Sequence, residues 1–156
     1  MKILGYTVLI VSLSLLLVGC KASDEAQIRK IIQDFAKAYE NEDVTKLMSY
    51  FSEDCENRLS HEGGEETATG KDEVKASFAG EFERGDDTEL TVTNTTVKVS
   101  DDTATSSWEW QLNFSDLQAD GTRTVSKVTA NTSFEKIDDS WNRTKLKSTI
   151  DTWKEE

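Results

Sequence analysis

The sequence predicts an α+β domain in which three N-terminal helices pack on a curved, mainly antiparallel sheet of four to six strands. Two patterns predict it. Ile28, Ile31, Ile32, Phe35 and Tyr39 recur at the spacing of a single helix face. From Thr88 onward the period changes to two. It is clearest between Thr103 and Asp116, where Ala104, Ser106, Trp108, Trp110, Leu112 and Phe114 fall on one parity and Thr105, Ser107, Glu109, Gln111 and Asn113 on the other. Side chains alternate faces along a strand, so this segment opposes an aromatic wall to a polar surface. The helices and the flanking strands have to bury that wall. The chain has 156 residues, enough for one domain with its own core, since single domains run to about 100–200 residues.

Taken in order, the elements follow from local chemistry. Ser23 is suited to cap the first helix, and Asp24 and Glu25 favour its positive end. The apolar stripe runs to about Glu40. Asp43 then caps a shorter helix in which Val44, Leu47, Met48 and Phe51 share a face, closed by Ser52-Glu53-Asp54. Cys55 to His61 reads as a weak strand, and Glu62-Gly63-Gly64-Glu65-Glu66 as a flexible loop. A third helix begins near Gly70-Lys71-Asp72-Glu73, directs Val74, Phe78 and Phe82 one way, and closes at Gly85-Asp86-Asp87.

In the strand region, Leu90 and Val92 differ in parity from Val97 and Val99, which predicts a bulge near Asn94-Thr95-Thr96. Asp101-Asp102 turns into the aromatic strand, and Gln118-Ala119-Asp120-Gly121 into a strand with Thr124, Ser126, Val128, Ala130, Thr132 and Phe134 on one face. Asp138-Asp139 leads to a last strand carrying Trp141, Leu146, Ile150 and Trp153, whose conflicting parities leave its inner face open. Proline is absent, so Gly, Asn and Asp supply the turns. These acidic pairs lack the spacing of a calcium loop, and no His or Cys set is spaced to ligate a metal. Neither a metal nor a cofactor is expected.

Net charge is −12, and removing residues 1–19, whose only charged side chain is Lys2, makes it −13. A surface so acidic repels polyphosphate, which argues against nucleic acid as a partner.

The first segment has a different purpose. After Lys2, an apolar run from Thr7 to Val18 fits the 7–15 residues or so of a secretory core and falls short of the roughly 20 needed to cross a bilayer. It ends in Leu17-Val18-Gly19-Cys20, which resembles the bacterial lipobox. That resemblance implies removal of residues 1–19 as a lipoprotein signal peptide, acylation of Cys20 (palmitate among the chains), and a protein anchored outside the cytoplasm, on the cell membrane or on an outer membrane where one exists. An ordinary signal peptide with a chance cysteine is the alternative, and would leave a Cys20–Cys55 disulfide open. With Cys20 lipidated, Cys55 is a small buried filler. Residues 20–23 form the lipidated cysteine and a short tether spanning only about 10 Å beyond it. Residues 24–156 form the single domain, held close to the membrane surface.

Four signatures occur in order: Phe35-Ala-Lys-Ala-Tyr39-Glu-Asn-Glu-Asp43-Val-Thr-Lys-Leu47 followed by Tyr50-Phe51-Ser-Glu-Asp54; Gly70-Lys-Asp-Glu-Val74; Val97-Lys-Val-Ser-Asp-Asp-Thr-Ala104; and Asp139-Ser-Trp141. Together they resemble the SnoaL-like branch of the nuclear transport factor 2 superfamily, a cystatin-like cone. The resemblance covers about residues 24–153. It implies a fold that hosts enzymes and binding modules alike. Enzymatic members place an acid or base on the short strand after the second helix, where this chain has Arg58 or Leu59. His61, the sole histidine, lies just beyond. An inward His61 would serve as a general base; beside Glu62-Gly63-Gly64 it reads more simply as a solvated loop residue.

The expected function is therefore a membrane-anchored, non-enzymatic domain that binds a small apolar ligand or a protein. The alternative is an isomerase-, cyclase- or hydrolase-type enzyme using His61. The residues expected to line the pocket are Phe35, Tyr39, Leu59, Phe78, Phe82, Trp108, Trp110, Leu112, Ser126 and Val128. A homodimer through the open sheet face, covering Glu109, Gln111 and Asn113, is a further expected partner.

Overall fold

The computed structural model describes residues 23–83, 88–114 and 123–155, and side chains within 23–83, 90–111 and 126–149. The leader, Cys20, the turns expected at Gly85-Asp86-Asp87 and Gln118–Gly121, and the side chains of Leu112, Asn113, Phe114, Thr124, Ile150 and Trp153 lie outside these residues.

Helix α1 (Asp24–Glu40) starts where Ser23 Oγ accepts a hydrogen bond from the Ala26 amide, and Asn41 closes it by donating to the Lys37 carbonyl. Helix α2 (Val44–Met48) is capped by Asp43, whose carboxylate accepts from the Lys46 amide at 2.8 Å. Strand β1 (Phe51–His61) turns tightly into β2 (Gly64–Thr69), followed by α3 (Lys71–Phe82). Then come β3 (Thr88–Ser100), β4 (Thr103–Phe114), β5 (Arg123–Ile137) and β6 (Ser140–Glu155). One six-stranded sheet results, ordered β2-β1-β6-β5-β4-β3, with β1 parallel to β6 and all other pairs antiparallel.

Three expectations need correction. The helices are not all N-terminal to the sheet, because β1 and β2 intervene before α3. α1 packs against β3 and α3 against β1 and β2, whereas the five-residue α2 lies chiefly on the other two helices. Phe51 belongs to β1 and not to the second helix: the Tyr50 carbonyl accepts the Arg143 amide at 2.7 Å, which draws the chain into the sheet. The expected loop at 62–66 is instead a two-residue turn entering β2. That strand is nearly all exposed and carries Glu65 and Glu66. It lies at one edge of the sheet, where charge discourages pairing with another chain. Gly64 enters it at φ +136°, a conformation L-residues rarely adopt.

Besides the register shift between Phe51 and Glu56 where β1 meets β6, two bulges in the antiparallel ladders shape the inner face. On β3 the register shifts between Thr93 and Thr96, with Asn94 at φ 52°; Leu90 and Val92 before it and Val97 after it pack on the core. On β6, Ser133 faces Lys145 but Phe134 faces Arg143, leaving Thr144 as the extra residue. Trp141 and Arg143 before it, and Leu146 and Ser148 after it, are all buried. The conflict of parities between Trp141 and Leu146 is thus the trace of a bulge.

The core gathers Ile28, Ile32 and Phe35 from α1, Leu47 and Met48 from α2, Val74 and Phe78 from α3, and the inward residues of the sheet. Cys55 is fully buried and unpaired, and burial raises its thiol pKa. Trp108 Nε1 donates to Thr132 Oγ1 at 3.0 Å across the β4–β5 ladder. On the opposite face Glu109 meets Lys127 at 3.0 Å, and Glu56 meets Lys145 and Arg58. The Lys145 hydrogen bond, first, and then the neighbouring charges hold Glu56 below its ordinary value of 4.5.

Replacing Thr132 by valine keeps the shape and removes the acceptor of a buried indole N–H. This change should cost about 1–3 kcal/mol, read from the denaturant midpoint at unchanged slope. Because the folded-state pKa of Glu56 is lowered, its contribution is present above 4.5 and is lost as pH falls through the folded value. Glu56→Gln should therefore flatten the fall of melting temperature on acidification, measured from neutral pH to below 4.5.

Candidate functional site

The inner face of the sheet and the helices above it enclose a cluster of rings. Phe35, at the centre of the α1 stripe, stacks on Trp110 with centroids 5.6 Å apart and meets Trp108 edge-on at 5.8 Å. Phe78 from α3 and Phe51 from β1 stand 6.0 and 6.3 Å from it. Trp108 and Trp110 contact each other at 4.8 Å, nearly perpendicular. At the edge, half-buried Tyr39 meets Phe82 at 5.0 Å, and its hydroxyl is 3.1 Å from Glu81. Edge and offset geometries of this kind are those aromatic quadrupoles favour.

Into this cluster the β6 bulge directs Arg143. Its guanidinium carbon lies 4.2 Å from the Phe35 centroid, 5.0 Å from Phe51, 5.7 Å from Phe134 and 6.0 Å from Trp108. Arg143 has no exposed surface, and Nε, Nη1 and Nη2 all lack a hydrogen-bond partner. Buried charges are ordinarily paired. Each ring contact with a cation contributes about 0.5–2 kcal/mol, whereas a desolvated unpaired ion costs several kcal/mol. The rings offset part of that cost and offer no acceptor to the N–H groups. Burial pushes the Arg143 pKa down to about 9, and nearby Tyr50 pulls it back up. A guanidinium keeps its proton at neutral pH even so, and the interior therefore holds a positive charge.

Other interior polar atoms share this state. Tyr50 Oη, Ser106 Oγ and Trp110 Nε1 are buried without partners. Ser106 occupies the inner face of β4, across from Thr132. Arg143 is the only charged side chain among the described residues that is buried; the other polar ones are Ser52, Asn57, Ser106, Ser126, Thr132 and Ser148. Neither a carboxylate nor an imidazole is among them. No group of three His, Cys, Asp or Glu among the described residues is placed to hold a metal.

Of the residues singled out by sequence, Phe35, Phe78, Trp108, Trp110 and Val128 join one buried cluster, with Tyr39 and Phe82 packed against it. Ser126 is buried on the same face of β5. Leu59 is half-buried and lines a separate shallow hollow of about 390 Å³ with Asn57, Ala68 and Ser77, between β1–β2 and α3. His61 stands at the tip of the β1–β2 hairpin, outside the buried cluster. Its Nδ1 accepts from the Gly63 amide at 3.0 Å, and its Nε2 is 3.4 Å from Glu66. Arg58 is paired with Glu56 and Glu65. Sequence reasoning missed Arg143, Tyr50, Phe51 and Phe134. An arginine reads as surface unless its strand's register is known, and the only available signal was its shared parity with Trp141.

This geometry can be set beside known proteins. No match was found among curated proteins. The chain is similar to a nuclear transport factor 2-like protein of unknown function from Pseudomonas putida KT2440 (14% identity, TM-score 0.68, covering 80% of this chain and 84% of that one). It is also similar to a protein of unknown function with a cystatin-like fold from Nostoc punctiforme PCC 73102 (21%, TM-score 0.64, 83% and 92%). A third similar structure is a type 2 hexachlorocyclohexane dehydrochlorinase (18%, TM-score 0.67, 84% and 88%). At these identities the likeness shows the fold, an α+β cystatin-like cone. The family model described as the SnoaL-like domain matches residues 21–147. By that match, over most of its length, this chain belongs to the SnoaL-like domain family.

Proposed function

We propose that the chain is a lipid-anchored, extracytoplasmic binding domain whose aromatic interior receives a small ligand without transforming it. One observation supports the ligand site above all others. A fully buried guanidinium, enclosed by Phe35, Phe51, Phe134 and Trp108, has no acceptor for any of its nitrogens. Interiors organised only for stability pair such groups or omit them. An apolar enclosure with a few convergent polar atoms is the usual make-up of a small-molecule site.

The non-catalytic part of the proposal rests on what surrounds that charge. The buried polar side chains among the described residues include no group that abstracts a proton near neutral pH. The enzymatic alternative draws on the dehydrochlorinase among the similar structures and would use His61. Its place at an exposed hairpin tip favours the binding reading. Residues 1–19 as a signal peptide, Cys20 as the acylated residue and 24–156 as the domain complete the proposal. Its partners are the membrane, a small ligand and a second copy through the outer sheet face.

Two measurements test it. Cys20→Ala should abolish acylation and leave residues 1–19 uncleaved, seen by intact mass against a processed, lipid-bearing parent; a parent whose Cys20 carries no acyl chain would refute the anchor. Titrating the full chain in detergent with neutral and charged small aromatics should give a saturable change in tryptophan emission, and His61→Asn should leave it unaltered. A flat response across the series would refute the ligand site, and loss of the response in His61→Asn would favour the enzymatic alternative.

A further inference from the structure

The interior has a definite chemical preference, which rests on its being a ligand site. We infer that Arg143 is its charge-recognition element and that the ligand is a small, flat monocarboxylate. Phe35, Phe51, Phe134 and Trp108 surround the guanidinium with ring surfaces, and no oxygen meets its Nε, Nη1 or Nη2. What the group lacks is a planar acceptor in its own plane. A carboxylate supplies two oxygens at the spacing of the guanidinium fork.

The same surroundings fix charge and shape. With Arg143 the only buried charge among the described residues, a monoanion leaves the interior neutral, whereas a dianion leaves one charge uncompensated in a medium that penalises it. The walls are rings already in contact with one another, so the part of the ligand beyond its carboxylate is apolar, and a flat body is the shape that displaces them least. Tyr50 Oη and Ser106 Oγ, both buried without partners, are hydroxyls available to hydrogen-bond an anion.

The main chain holds the arginine in place for this purpose. Its amide donates to the Tyr50 carbonyl at 2.7 Å, its carbonyl accepts from Ser52 Oγ at 3.4 Å, and the Thr144 bulge sets its face. The guanidinium has no exposed surface. Ligand entry therefore requires ring displacement, and association is slower than at a preformed site.

The test uses the full chain in detergent and three probes: benzoate, its neutral counterpart benzamide, and the dianion phthalate. Tryptophan emission gives affinity, and thermal melting gives stability. Benzoate should bind at least about tenfold more tightly than benzamide, the margin expected of a charge-assisted hydrogen bond, and phthalate should bind more weakly than benzoate. Arg143→Met should bring benzoate and benzamide to equal affinity and, without ligand, melt at or above the temperature of the parent. Arg143→Lys, which keeps the charge and loses the fork, should retain a reduced preference for benzoate. Equal binding of benzoate and benzamide by the parent chain would overturn the anion assignment and leave the ligand site standing. Binding of none of the three would overturn both. An Arg143→Met protein that melts lower or fails to fold would identify the arginine as structural and overturn the inference, as would an Arg143→Lys protein with undiminished benzoate affinity.

Discussion

A single cation held among rings, with no acceptor for its hydrogens, is the constraint around which the interior is arranged. The SnoaL-like fold does not by itself require it: a roll of this kind buries its inner face equally well with aliphatic side chains, and much of the present core does so, from Ile28 and Ile32 to Val128 and Leu146. The exception is the zone where Phe35, Phe51, Phe134 and Trp108 converge on Arg143. There the ring faces provide the negative potential that makes a desolvated guanidinium tolerable. Their contribution is graded by distance, and Phe35, the nearest, is also the ring that stacks on Trp110 and meets Trp108 and Phe78. Packing and electrostatics in this region are therefore one problem, solved mostly by one helix residue.

How far this was legible in the chain depends on the period of each segment. The α1 stripe, the capping by Ser23 and Asp43, and the aromatic face of β4 all follow from spacing and are found where the spacing puts them. The sequence misleads where a period is absent or runs past the end of its element. β2 alternates no apolar groups: only Ala68 packs on the core, and its other side chains are exposed. Phe51 reads as helical because it continues an i, i+4 pattern from Leu47, although the five-residue helix has already ended. The shape of the ring cluster was readable from Phe35, Tyr39, Phe78, Phe82, Trp108 and Trp110, since bulky rings on periodic faces have nowhere else to go. Its charge was not, because arginine inside and arginine outside look the same in a sequence.

The polar face of the sheet presents the opposite situation. Glu56 and Glu109 are each held by a lysine on an adjacent strand, and Glu56 also by Arg58 of its own strand, so charges there are satisfied locally and are nearly interchangeable with others of the same kind. Exposed pairs of this type contribute little individually. The interior charge has no such substitutes within the fold. The protein thus spends many charges where they matter little and one where it matters a great deal.

The unpaired residue on β6 has a consequence of its own. Were Thr144 paired in the ladder instead of bulged out of it, the strand running back from Leu146 would turn Thr144 and Asn142 inward and send Arg143 and Trp141 to solvent, with no substitution anywhere. Removing Thr144 outright would instead leave Arg143 opposite Phe134 and facing inward, because the bulge absorbs that residue without moving its neighbours. Whether the roll encloses a cation is thus decided by how one position of one strand pairs, while every other strand keeps its place.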